Sequence, residues 1–195
     1  MGKFYAVKNG RQKGVYATWN ECKAQVDGFG GAVYKSFATQ KEAEDFISEK
    51  QKTLSTKSEC VAYVDGSFDL STFCYAYGAV IFYQNEKYTF NDMMRDEEMA
   101  TMRNVAGEIE GAKKAMAFAL EHGCKTLEIC YDYQGIEKWC TGEWKANKKG
   151  TIAYRDYYLE MSKYMEISFT KIKGHSNHPL NDEADLLAKK ALGLA

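Results

Sequence analysis

Three β-rich runs, CVAYVDGS, YAYGAVIFYQ and KYTFNDM, follow one another between Cys60 and Met93 with no helix between them. The pattern then switches. Apolar residues recur at helical spacing over 104–122, TLEICYD returns to strand, and helical stretches come near 134–142 and 152–164. EISFTKI is a fifth strand, and a last helix begins just after Pro179 and runs through DEADLLAKKAL. Consecutive strands followed by strand–helix alternation allow few architectures. They predict an α/β domain over 59–195, with a mixed five-stranded sheet and flanking helices.

Residues 1–48 read as a separate, smaller α/β unit in the order ββαβα. KFYAVKNG and GVYAT are strands divided by the turn signal Asn9-Gly10, and AVYKSF is a third strand. Thr18-Trp19-Asn20-Glu21 and Thr39-Gln40-Lys41-Glu42 have capping-box spacing, so helices are expected near Trp19 and Gln40. EKQKTLSTKS, over 49–58, is polar and aperiodic and reads as a linker. Net charge is −1, but residues 1–57 carry 10 Lys/Arg against 6 Asp/Glu while 58–195 carry 16 against 21. A basic front and an acidic back suggest different tasks. No run approaches the ~18 apolar residues of a membrane span, and the N-terminus lacks the apolar core of a secretory signal. Six cysteines without a C-x-x-C pair predict buried, reduced thiols in a cytoplasmic protein.

Four acids stand where folding alone favours apolar residues. Asp65 ends the run CVAYV, and period-2 alternation puts Val61, Tyr63 and Asp65 on one face. Asp132 ends LEICY in the same way, at the end of a strand where open α/β sheets gather ligands. Glu108 shares the inward helical stripe of Val105, Ala112, Ala115 and Ala119, whereas Glu110, about 200° round the helix, is expected to face solvent. Asp185 shares a stripe with Ala188 and Leu192. Any one of these could be a cap, a turn or a hydrogen bond to the next strand. Four together are harder to explain so, because an inward carboxylate is costly without compensation. Oxygen donors with no matching histidine or cysteine cluster suit Mg2+ or Mn2+ rather than zinc. His175 in the loop Gly174-His175-Ser176, beside the last acid, suits proton transfer. His178 is expected in a turn before Pro179, and His122 at a helix end, interacting with the dipole.

DGS at 65–67, GEIEGA at 107–112, YDYQ at 131–134 and KGHSNHPLNDEAD at 173–185 occur in the order, and at about the spacing, of type 1 ribonuclease H, which residues 59–195 resemble. The resemblance implies that Asp65, Glu108, Asp132 and Asp185 are the catalytic, metal-binding set. It makes His175 the mobile histidine near the leaving group, and Ser67, Asn104 and Gln134 contacts to the hybrid. The implied reaction is endonucleolytic hydrolysis of the RNA strand of RNA–DNA hybrids, giving 5′-phosphate and 3′-hydroxyl products. The implied cofactor is two Mg2+ per active site, with Mn2+ as substitute. The chemistry agrees independently: two divalent ions roughly 3.5–4 Å apart can serve both sides of an in-line displacement, and the 2′-hydroxyl marks the RNA strand.

Residues 1–47 resemble the hybrid-binding domain found ahead of many such enzymes, through FYAVKNGRQKGVY, TWNECKAQV and VYKSFATQKEAEDF. This implies nucleic-acid contacts at Tyr5, Trp19 and Lys35, with double-stranded RNA as a second ligand of this unit. Ser36 stands where the family often has a second lysine, which implies weaker phosphate binding. TGEWKANKKGTIAY, with Lys145, Lys148 and Lys149, is short beside the basic substrate handle of some relatives, so the catalytic unit is expected to depend on the front unit for grip. A monomer without membrane contact is expected. Two other readings stay open: a non-catalytic hybrid or double-stranded RNA binding protein, and a nuclease of the same fold acting on DNA.

Overall fold

The computed structural model describes residues 3–47, 58–172 and 178–195. The chain divides into two units, Met1–Ser55 and Thr56–Ala195. All but Ser58 of the expected linker, and His175 with its loop, lie outside the described residues.

In the front unit, β1 (Phe4–Asn9) lies between β2 (Gly14–Tyr16) and β3 (Val33–Phe37), antiparallel to both. Helix α1 (Trp19–Val26) starts at the predicted capping box, in which the Glu21 N–H donates to Thr18 Oγ1 and the Thr18 N–H donates to Glu21. A cap of this kind contributes about 1 kcal/mol. The same reciprocal pair joins Thr39 and Glu42 before α2 (Gln40–Ile47). Val7, Cys22 and Val26 form a small core between α1 and the sheet, and Phe37 packs on Phe46 of α2 with ring centroids 5.3 Å apart.

In the second unit, β4 (Cys60–Asp69), β5 (Cys74–Tyr83) and β6 (Glu86–Met94) form an antiparallel meander. A short helix α3 (Glu97–Ala100), capped by Asp96 and absent from the sequence expectation, leads into α4 (Asn104–Glu121). Strands β7 (Thr126–Tyr131) and β8 (Glu166–Lys171) add in parallel on the far side of β4, giving the order β6-β5-β4-β7-β8. Between them lie α5 (Gly135–Thr141) and α6 (Lys149–Met161), the latter starting three residues earlier than expected; α7 (Pro179–Ala191) ends the fold.

Side-chain alternation divides the β4 core. Cys60, Ala62 and Val64 join Ile109, Met116, Leu127 and Tyr154 on the α4 side, while Val61 and Tyr63 join Val80 and Ala184 on the α7 side. Two glycines let these helices approach. A Cβ at Gly66 would overlap the backbone of Asn104 and Glu108 in α4, and one at Gly78 would overlap the backbone of Ala184 and Ala188 in α7. Helix α4 therefore carries Glu108 against the sheet. All six cysteines are buried and unbridged. Among the described residues no helix is long and apolar enough to cross a membrane.

Candidate active site

Strands β4 and β7 pair as far as Tyr63–Cys130. Two residues further along each stand Asp65 and Asp132. β4 itself continues to Asp69, so Asp65 does not end its strand; it lies where the parallel pairing stops and a crevice can form. Glu108 reaches the same place from α4, over the space that Gly66 leaves. Each of Asp65, Glu108 and Asp132 offers a carboxylate oxygen, and these all lie within 4.8 Å of one another.

Two of these three carboxyls are pushed toward their protonated forms. Glu108 is 1% exposed, and its Oε2 is buried without a hydrogen-bond partner among the described residues. Burial first, then Asp132 and Asp65, push its carboxyl up to about 9, against a smaller opposing pull from the Tyr133 N–H. Burial and then Asp132 raise Asp65 to about 7, with Asp185 adding to the rise; the Gly66 N–H, 2.7 Å from Oδ1, and the Lys189 charge oppose it. An interior that raises two acids and leaves an oxygen without a donor is compensated by positive charge. The donors are all hard oxygens, so the residues present fit a divalent cation of the Mg2+ or Mn2+ class.

Asp185 is not one of the three. α7 packs through Ala184 and Ala188, so Asp185 stands beside the buried stripe rather than on it, half-buried, and its Oδ2 accepts from Lys189 Nζ at 2.6 Å. Its charge still reaches Asp65. Asn181, one turn earlier, donates to Asp65 Oδ2 at 3.3 Å. His178 is the N-cap residue of α7 and stacks on Tyr63 at 5.2 Å. Ser67 is buried on β4, Asn104 opens α4 and is exposed, and Gln134 caps α5, also exposed. His122 ends α4 as expected, its Nδ1 2.8 Å from the Phe118 carbonyl. Glu110 differs from expectation: it is half-buried and paired with Lys113 at 2.9 Å, because α3 and α6 cover that side of the helix.

Sequence reasoning missed an aromatic cradle next to Asp132. Tyr133, Trp139 and Trp144 meet with centroids 5.8 to 6.3 Å apart, and Lys138 Nζ lies 5.5 Å from the Trp144 ring. Tyr133 and Trp139 share a cavity of about 340 Å3 with Met102, Val105, Lys145 and Lys148. Its parts fall either side of the left-handed Gly142, so no periodicity announces it.

In the front unit, Trp19 opens α1 and is 42% exposed. Its ring lies 5.7 Å from Tyr5 and 5.8 Å from Tyr34, which is also exposed and was not singled out by the sequence. Strand register sets Tyr34 opposite Val7 and Ser36 opposite Tyr5, so these share the face of α1. Lys35 alternates to the other face, exposed, with Nζ 5.7 Å from the Phe37 ring.

The family model described as Ribonuclease H1 N-terminal domain matches residues 3–47, and that described as RNase H matches residues 57–193. Ribonuclease H1 of Mus musculus is 27% identical over 255 residues, spanning 97% of this chain and 89% of the mouse protein. Ribonuclease H of Saccharomyces cerevisiae is 54% identical over 53 residues, which are 27% of this chain and 15% of the yeast protein. The crystal structure of RNase H1 from Halobacterium salinarum NRC-1 matches with a TM-score of 0.58 and 25% identity, covering 70% of this chain and 98% of that one. With the fold, the crevice acids and both domain matches in agreement, the chain belongs to the ribonuclease H family, as a type 1 ribonuclease H with the ribonuclease H1 N-terminal domain ahead of its catalytic domain.

Proposed function

We propose that the chain cuts the RNA strand of RNA–DNA hybrids internally at the Asp65–Glu108–Asp132 cluster, with two divalent ions, leaving 5′-phosphate and 3′-hydroxyl ends. The observation that carries this reading is the meeting of the three carboxylates within 4.8 Å around an unpartnered, buried Glu108 oxygen. A protein that only bound nucleic acid would gain nothing from such a group. Asp65, Glu108 and Asp132 would hold one ion, and Asp185 would complete the second site by exchanging Lys189 for it. Mg2+, or Mn2+ in its place, supplies charge neutralisation at the phosphate and a more acidic attacking water. His175 delivers a proton to the leaving oxygen. Ser67, Asn104 and Gln134 contact the hybrid around the cut, where the minor groove exposes the 2′-hydroxyl.

Grip comes from two aromatic surfaces. The cradle of Tyr133, Trp139 and Trp144, ringed by Lys138, Lys145 and Lys148, offers stacking and phosphate contacts beside the acids. In the front unit Tyr5, Trp19 and Tyr34 offer a second stacking surface, and Lys35 a phosphate contact. Double-stranded RNA would meet the same front surface.

The test is cleavage of an end-labelled hybrid by wild type and Asp132→Asn, with Mg2+ and with chelator. Wild type should cut only with the metal. Asp132→Asn should lose on the order of 10³-fold or more in rate while binding hybrid nearly as well. Full activity in the variant, or in chelator, would remove Asp132 or the metal from the mechanism.

A further inference from the structure

Both oxygens of Asp65 are held. Oδ1 accepts from the Gly66 N–H at 2.7 Å, a bond to the next residue along. Oδ2 accepts from Asn181 Nδ2 at 3.3 Å, a bond that crosses from α7 to the sheet. Asn181 is only 6% exposed, and its Oδ1 is buried with no partner among the described residues. A buried amide that satisfies only part of its hydrogen-bonding capacity weakens a fold, and an apolar side chain of similar size would not. Among the described residues, packing gives no reason for an asparagine here. The bond to Asp65 does.

The NH2 end faces Asp65 Oδ2, and the amide oxygen has no partner among the described residues. Asn181 is also well anchored. Its helix is pressed on β5 through Gly78, and Glu183 ties it to β6 through Lys87 at 2.8 Å. Asn181, Asp185 and Lys189 follow at intervals of four, so they lie along one face of α7.

We infer that Asn181 is a positioning residue for Asp65: its amide fixes the plane of the carboxylate, so that the metal ligand is oriented before any ion arrives. With the Gly66 N–H alone, Asp65 can still turn about its side-chain torsions. The second donor removes that freedom, and ordering is completed on folding instead of on binding. A lysine in this place would also hold Asp65, but its charge would compete with the ion; a neutral donor does not. The inference rests on the cluster being a divalent-ion site.

The test uses the full chain, stripped of metal and titrated calorimetrically with Mn2+, well below its melting temperature. Wild type is compared with Asn181→Leu and Asn181→Ala. Loss of a group that orients a ligand typically weakens metal binding at least tenfold, so the Mn2+ dissociation constant should rise about tenfold in both variants. The KM for hybrid should stay within twofold while kcat falls. Melting curves in chelator show that each variant is folded, and Asn181→Leu, which removes the unsatisfied amide, should melt no lower than wild type. Mn2+ affinity within threefold of wild type in the folded variants overturns the inference. If Asn181→Leu fails to fold, Asn181→Ala decides by the same criterion. If wild type binds no Mn2+, the reading of the cluster falls, and this inference with it.

Discussion

Glu108→Gln should stabilise the metal-free protein above neutrality while abolishing cleavage. Burial and the neighbouring Asp132 and Asp65 push the Glu108 carboxyl up to about 9, whereas an unfolded chain titrates glutamate at about 4.3. Between those values folding takes up a proton, so stability falls as pH rises, by about 1.4 kcal/mol per pH unit for each proton. From pH 5 to pH 8 Glu108 alone accounts for about 4 kcal/mol. In a protein of this size 1 kcal/mol corresponds to roughly 2–4 °C, so the catalytic unit of wild type should lose on the order of 10 °C of melting temperature across that window in chelator. Asp65, raised to about 7, steepens the fall below pH 7. Glutamine takes up no proton, and the variant's profile should be flatter by the Glu108 share. Divalent ions bind the deprotonated acids, so saturating Mg2+ should flatten the wild-type profile too. Differential scanning calorimetry of both proteins at pH 5, 6, 7 and 8, with chelator and with Mg2+, reads all of this. A wild-type melting temperature that holds or rises from pH 5 to 8 in chelator would refute the reasoning, as would an equal slope in Glu108→Gln.

Gly66→Ala drives a methyl into the α4 backbone at Asn104 and Glu108; it should destabilise by about 3 kcal/mol in denaturant unfolding and remove activity together with stability. Trp19→Ala alters an exposed residue, so circular dichroism should be unchanged while hybrid affinity falls about 5- to 150-fold in a filter-binding assay, the range for losing one stacked base. Deleting residues 1–57 should raise KM for hybrid more than it lowers kcat, because linked binding surfaces act through effective concentration; an unchanged KM would show that the catalytic unit's own cradle suffices.

Asp65 and Glu108 were legible in the sequence because a period of two or 3.6 residues carries an acid to an inward position, and inward acids are rare without a reason. The two capping boxes were legible because each is a local bond between a threonine and a glutamate three residues on. What depended on tertiary packing was not. Helical spacing predicts Asp185 inward with Ala188 and Leu192, yet α7 docks on Gly78 through Ala184 and Ala188, which turns Asp185 toward the rim and Lys189. Tyr34 meets Trp19 only through strand register, and Trp139 meets Trp144 only around a turn.

Position in a periodic pattern does not separate a functional acid from a structural one; the direction in which its surroundings push its charge does. Asp65 and Asp69 lie on the same strand, four residues apart. Asp69 Oδ1 accepts from the Ser71 N–H and hydroxyl at 2.8 and 2.7 Å, its Oδ2 accepts from the Thr72 hydroxyl at 2.7 Å, and these bonds hold its carboxyl below the usual range. It is a turn cap, complete within the protein. Asp65 and Glu108 are pushed the other way by burial and then by Asp132, and Glu108 keeps an oxygen that nothing in the described fold satisfies. Among the described residues that cost falls where the Gly66-cleared α4 and two parting strands bring three acids together. A group that is costly alone and shaped for a cation marks a place that a cation, and not the fold, would complete.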